Sequence, residues 1–293
     1  CPFSIAPTTL KRHMYQHLLK VTPLIAKLIS NVSEDHIFLQ HSLDETSKAE
    51  PFFGLLMSMH KQLHGDGKHQ LMPERQPLLL MRTDFMDDRD LGAKVIEFNG
   101  IAAGMAPFGQ RATQLHRYLK EQWSEYYQQW SVEPAATAAD NLGMEQLAVG
   151  IATAANKVKQ QFVDGGKATF LMVVQPNEDN VYDQHLLEVE LQRLGIRTVR
   201  RTFAQLSHQR SSGSNQRLML NGVGAIDAVY LRAGYQYSDY CAPELNEAVC
   251  CHTLSQTRVF IEQHYVAMNA TISQQLATSK TMQMVLTMLP AQE

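Results

Sequence analysis

The chain opens on a helical repeat. Leu10, Met14, Leu18, Val21, Ile25 and Leu28 recur at intervals of three and four, the spacing that lines one face of a helix. The pattern predicts a helix over residues 8–31, capped by Thr8 or Thr9 and kinked at Pro23. A second helix is expected over 51–64, and the Gly and Pro content of 65–77 makes it a loop. The pattern then shortens. Leu78-Leu79-Leu80-Met81 and Lys94-Val95-Ile96-Glu97-Phe98-Asn99 read as buried strands joined by a turn around Asp87-Asp88-Arg89-Asp90. Small residues fill 100–108. A long helix is expected over 110–130, a polar connector over 131–141 and another helix over 142–163.

A second unit starts at Gly165-Gly166. Ala168–Val174, apolar but for Thr169, reads as a buried strand. Val181–Leu194 is an amphipathic helix stopped by Gly195. Ile196–Val199, Gln216–Leu220 and Ala225–Leu231 read as further strands, 211–215 as a surface loop, and 270–288 as a closing helix. Strands alternating with helices at this spacing argue for an α/β fold with a doubly wound, largely parallel sheet.

Composition narrows the class. Hydrophobic residues make up 44% of the 293 positions, enough for a sizeable core. The net charge of −3 and scattered basic residues give no phosphate-tracking stripe, so no nucleic-acid partner is expected. No apolar run is long enough for a membrane helix, and no basic leader precedes an apolar stretch, so no membrane association or signal peptide is expected. The cysteines, Cys1, Cys241, Cys250 and Cys251, fit no disulfide framework, which favours a reducing compartment. Cys250-Cys251-His252 lacks the second ligand pair of a structural zinc site and reads as inert thiols.

Four clusters carry chemistry, each at the end of a predicted strand or in the loop after it, where α/β sheets bind ligands. In Arg82-Thr83-Asp84-Phe85-Met86, Arg82 suits either a bidentate clamp on a carboxylate or an internal ion pair. In Ile96-Glu97-Phe98-Asn99, Glu97 and Asn99 share a strand face and offer oxygens suited to Mg²⁺, or simply a solvated face. In Glu178-Asp179-Asn180-Val181-Tyr182-Asp183-Gln184, Glu178, Asn180 and Gln184 are able to read a small zwitterion. Asp179 and Asn180 are equally good helix caps. In Arg232-Ala233-Gly234-Tyr235, Arg232 is a further carboxylate-binding candidate and Gly234 permits a tight turn.

Taken in order, these clusters resemble eukaryotic-type glutathione synthetase. Arg82–Met86 matches the family's R-[ST]-D-[YF]-M element, Ile96–Asn99 its I-E-[IF]-N, Glu178–Gln184 its E-x-N-x-[FY]-D-Q and Arg232–Tyr235 its R-x-G-Y. Leu276–Lys280 matches L-A-x-[ST]-K, and Ile196–Phe203 the family's strand-and-turn region. The resemblance runs from about residue 2 to the end. It implies an ATP-grasp ligase that joins γ-glutamylcysteine to glycine with ATP through an acyl phosphate. By position, Arg82, Ala102, Ala103, Gly104, Glu178, Asn180, Gln184, Arg232 and Tyr235 would hold γ-glutamylcysteine. Glu97 and Asn99 would hold Mg²⁺ and, with Lys280, the ATP phosphates. It also implies a cytoplasmic homodimer. The expected units are a synthetase body over 1–164, a substrate-binding domain over 165–270, and the start of an ATP-binding segment over 271–293.

Three departures bear on the resemblance. Ala102-Ala103-Gly104 stands where the family usually has serines, Ala233 stands where Asp is common, and the chain stops at Leu289-Pro290-Ala291-Gln292-Glu293, where the family continues into its Gly-rich lid. An incomplete form of the ligase is therefore expected. The alternatives are a non-catalytic γ-glutamylcysteine- or thiol-binding protein, one half of a split ligase, or a synthetase using an amino acid other than glycine.

Overall fold

A computed structural model of the chain describes residues 4–68, 74–88, 90–241 and 252–289. Three helices come first: α1 (Arg12–Glu34), α2 (His36–Ala49) and α3 (Pro51–His64). The first begins at residue 12 rather than 8. Lys11 occupies its cap position and contributes no side-chain bond, so neither Thr8 nor Thr9 caps it. α2 was not foreseen, because its apolar positions are sparse; it is anchored by Asp35, which accepts the Phe38 N–H.

An antiparallel hairpin follows, β1 (Arg82–Asp88) and β2 (Gly92–Asn99). The apolar run 78–81 is not itself a strand. Leu78 and Leu80 are buried, but the strand begins at Arg82. Nor is the hairpin buried, since Met86, Val95 and Ile96 are exposed. A two-stranded ribbon has no sheet neighbour to cover both its faces. The next helices are α4 (Ala106–Gln122), α5 (Ser124–Trp130) and α6 (Gly143–Gln160), with a break at Trp123 inside the single helix the sequence suggested.

The organising element is a four-stranded parallel sheet in the order β4-β3-β8-β9: β3 (Thr169–Val173), β4 (Arg197–Arg201), β8 (Ala228–Leu231) and β9 (Ala267–Asn269). Alternate residues of one strand face opposite ways. Phe170, Met172, Ala228 and Tyr230 therefore enter one core with α6 and with α7 (Val181–Arg193). Leu171, Val173, Val229 and Leu231 enter the other, with α1–α3, α8 (Phe203–Gln209), α9 (His252–Glu262) and α10 (Ile272–Ala277). Both faces are covered, as the apolar runs of β3 and β8 required. Gly195 ends the α7 region with φ +80°, the conformation its sequence position called for.

A small antiparallel sheet, β5 (Arg210–Ser212), β6 (Leu218–Leu220) and β7 (Gly224–Ala225), sits beside it, so part of the expected loop at 211–215 is strand. The expected closing helix over 270–288 is two helices, α10 and α11 (Lys280–Met288), preceded by β9. Thr271 and Ser279 each start a new helix by accepting a backbone N–H. Cys241 is a free thiol; Cys1, Cys250 and Cys251 lie outside the described residues. No described helix is long and apolar enough to cross a membrane.

Candidate active site

The chain runs from β3 to β4 on one side of the sheet and to β8 and β9 on the other. The loops leaving the carboxyl ends of adjacent β3 and β8 thus diverge, which opens the crevice where such sheets take ligands. Arg232 stands directly after β8, and its N–H donates to Val173 O at 2.7 Å. Glu178, Asn180 and Gln184 come from the loop after β3 and the first turn of α7.

The small-residue loop after β2 closes over this point. Ala102 N–H donates to Leu231 O at 3.2 Å, Arg232 Nη1 donates to Ala102 O at 3.0 Å, and the Tyr230 hydroxyl donates to Ala103 O at 2.7 Å. Asp183 accepts the Met105 N–H at 3.2 Å and lies 3.8 Å from the Arg232 guanidinium. The loop fits because it is bare: a Cβ on Gly104 would sit 2.8 Å from Arg232 Nη1 and 3.1 Å from Asp183 Oδ2. Burial pushes the Asp183 carboxyl above its ordinary value, opposed by Arg232.

Glu178 is held from two sides, by the Asn180 N–H at 2.8 Å and by Gln184 Nε2 at 2.6 Å. Asn180 is the cap residue of α7 but makes no side-chain cap bond, so the capping role suggested by its position is not the one it plays. Two polar atoms here are buried without a hydrogen-bond partner among the described residues: Gln184 Oε1, an acceptor, and Arg232 Nε, a donor. Both residues line one narrow cleft with Asp183, Tyr230 and Ala103. Buried polar atoms are ordinarily paired, so two orphans of opposite sense in one cleft call for an explanation. Tyr235 stands further out, 41% exposed, with its hydroxyl beside Gln175. Gly234 turns the chain between them at φ +97°.

The second group lies on one face of the hairpin. The register sets Arg82 opposite Asn99 and Asp84 opposite Glu97. Arg82 grips Asp84 through two bonds of 2.7 and 2.8 Å, so without ligand it forms the internal ion pair rather than an open clamp. That contact holds the Asp84 carboxyl below its ordinary range. Asn99 Nδ2 donates to Asp84 Oδ2 and to Glu97 Oε1, both at 3.2 Å, and Lys280, the first residue of α11, reaches the other oxygen of Glu97. Arg82 also borders a cleft of about 500 Å³ shared with Ala103 and Gly104. The structure therefore gathers the sequence candidates into two neighbouring clusters joined by the loop after β2.

Sequence reasoning assigned no role to Asp84, Asp183 or Tyr230. Two of them were legible. Asp84 shares a strand face with Arg82, two residues away, and Asp183 lies one helical turn after Asn180. Tyr230 sits inside an apolar run and gives no such signal.

The model of the eukaryotic glutathione synthase ATP-binding domain matches residues 1–290. The chain belongs to the eukaryotic glutathione synthase family. It is 30% identical over 286 residues to a chloroplastic glutathione synthetase of Solanum lycopersicum, covering 96% of this chain and 48% of that protein. It is 28% identical over 286 residues to the glutathione synthetase of Homo sapiens, covering 96% and 55%. The chain thus spans about half the length of these relatives. Its fold is also that of the apo glutathione synthetase like-effector of Globodera pallida, with TM-score 0.69 over 99% of this chain and 59% of that one, at 16% identity.

Proposed function

We propose that this chain carries the γ-glutamylcysteine-binding part and a portion of the nucleotide site of an ATP-grasp glutathione synthetase, which ligates γ-glutamylcysteine to glycine. The observation that carries the reading is the pair of orphaned groups at the crevice, Arg232 Nε and Gln184 Oε1. A γ-glutamyl dipeptide offers the complement: carboxylates for a guanidinium, and an ammonium for an amide oxygen and for Glu178. Arg82 and Tyr235 bound the same site, and the backbone of Ala102, Ala103 and Gly104 approaches it without side-chain bulk.

The donor set on the hairpin fits Mg²⁺, because Asp84, Glu97 and Asn99 present oxygens on one face, with two carboxylates already bridged by one amide. Glu97 and Asn99 would hold the ion and Lys280 would contact the ATP phosphates. When bound, ATP supplies the phosphoryl group that activates the dipeptide carboxylate, and Mg²⁺ offsets its charge. This chain's residues do the positioning. Arg232 fixes a carboxylate, Asp183 orients Arg232 and ties down Met105, and Lys280 leaves Glu97 for the phosphates. Residues 1–164 act as the synthetase body, 165–270 as the substrate unit and 271–293 as the start of the nucleotide segment. A cytoplasmic homodimer belongs to the same reading.

Calorimetric titration with γ-glutamylcysteine, with and without Mg-ATP, tests it. Binding at one site per chain that Arg232→Ala removes is the expected result, and tighter binding with Mg-ATP separates a ligase site from a purely dipeptide-binding one. A folded chain that binds in neither condition, or an Arg232→Ala chain that binds equally well, would contradict it.

A further inference from the structure

Within the first helical layer stands a cluster the family reading does not use. His36 opens α2, and His60 and His64 lie four residues apart on one face of α3. His60 is fully buried, His64 is 8% exposed and His36 is part-exposed. One ring nitrogen from each lies within 4.8 Å of the other two, the one such grouping of three or more His, Cys, Asp or Glu among the described residues. The geometry points to a binding site for a divalent transition metal ion of the zinc class, held by His36, His60 and His64 with a fourth position open to the adjoining cleft.

Several observations converge on it. His60 Nε2 and His36 Nδ1 are 3.3 Å apart, with their rings edge to face at 62°. Two nitrogens at 2.0–2.1 Å from one tetrahedral ion are separated by about 3.3 Å. Imidazole must be neutral to bind, and burial keeps both His60 and His64 neutral through the physiological range. A supporting layer is present. Gln40 Nε2 lies 3.4 Å from His60 Nδ1 and donates to Gly65 O at 2.9 Å, so the amide must release Gly65 before its oxygen accepts the N–H that a metal-bound His60 carries there. Ser273 of α10 lies 3.4 Å from His64 Nε2, leaving Nδ1 for the ion. His36 and His64 also line a cleft of about 580 Å³ with Glu34, Arg75 and Glu262, which gives an ion or its water an entry path.

One feature must change on binding. His36 and His64 are stacked, with ring centres 3.7 Å apart and 24° between planes. A shared ion lies in the plane of each ring, so one ring must turn. The site would pin the start of α2 to the end of α3 beneath α10.

The test uses the tag-free chain in a Cys250→Ser, Cys251→Ser background, so that the tandem thiols do not compete. Zn²⁺ is titrated calorimetrically in excess Mg²⁺, and Co²⁺ is added separately to read its visible absorption. The expected result is one ion per chain, a tetrahedral Co²⁺ spectrum, and at least about tenfold weaker binding in His36→Ala, a loss no smaller than those seen for supporting residues. X-ray absorption of the Zn²⁺-loaded parent chain, which needs no variant to fold, should show three imidazole ligands. Absent binding, unchanged affinity in a folded His36→Ala, or fewer than two imidazoles at the ion would each overturn the assignment.

Discussion

The crevice cluster and the hairpin cluster use the same chemistry in opposite ways. Around Arg232 the charges are buried, the contacts are largely to backbone, and two polar atoms are left over. Around Arg82 the charges are between about a quarter and two thirds exposed and close on one another, Arg82 on Asp84 and Lys280 on Glu97. The first is a socket built in advance, whose rigidity comes from the sheet. The second is a zipped network that must open before it binds anything. The two central carboxylates record the difference: burial raises the pKa of Asp183, whereas the Arg82 hydrogen bond lowers that of Asp84. Preorganisation should therefore be costly to disturb at the crevice and cheap at the hairpin.

Arg232→Ala is the most severe test of that contrast. It strips a buried guanidinium from Asp183 and from Ala102 O, and should cost about 3 kcal/mol in urea unfolding. Dipeptide affinity should fall about 30-fold or more. Gly104→Ala comes next. Its methyl would meet Arg232 and Asp183, so a loss of about 1–3 kcal/mol is expected, with weaker dipeptide binding. An unperturbed Gly104→Ala chain would show that the crevice is soft rather than preorganised.

At the hairpin, Glu97→Gln should change stability by less than about 1 kcal/mol, because its ion pair with Lys280 is open to solvent. It should still weaken Mg-ATP binding about tenfold, a loss of one charge-assisted contact worth about 1.4 kcal/mol. The smallest effects are in pH. The folded chain holds the Asp183 proton more tightly than the unfolded chain, so its contribution is complete below 3.8 and is lost as pH rises through the raised folded value. For Asp84 the sign reverses: its contribution is present above 3.8 and is lost as pH falls through the lowered value. Thermal melts across pH should lose the first slope in Asp183→Asn and the second, by less than about 1 kcal/mol after screening, in Asp84→Asn.

The legibility of the sequence tracks where the structure is two-faced or local. β3 and β8 were readable because double burial writes a nearly continuous apolar run, and the end of α7 because Gly195 stops it. The hairpin was placed but misjudged as buried, since Val95, Ile96 and Met86 are apolar yet exposed. α2, α8, β9 and the split between α10 and α11 depend on tertiary contacts and on single caps at Asp35, Thr202, Thr271 and Ser279, which periodicity does not register. The site residues were found because their motifs are local in sequence. Their pairing was not, because Arg232 meets Ala102 across 130 residues of chain and Lys280 meets Glu97 across 183.

The most direct measurement follows the orphaned groups themselves. In a ¹⁵N NMR titration with γ-glutamylcysteine, the Arg232 Nε–H and the Gln184 side-chain amide signals should move together and saturate at one dipeptide per chain. Saturating binding that leaves both signals in place, or that moves only Arg82 and Lys280, would mean that the crevice at β3 and β8 is not where the dipeptide sits.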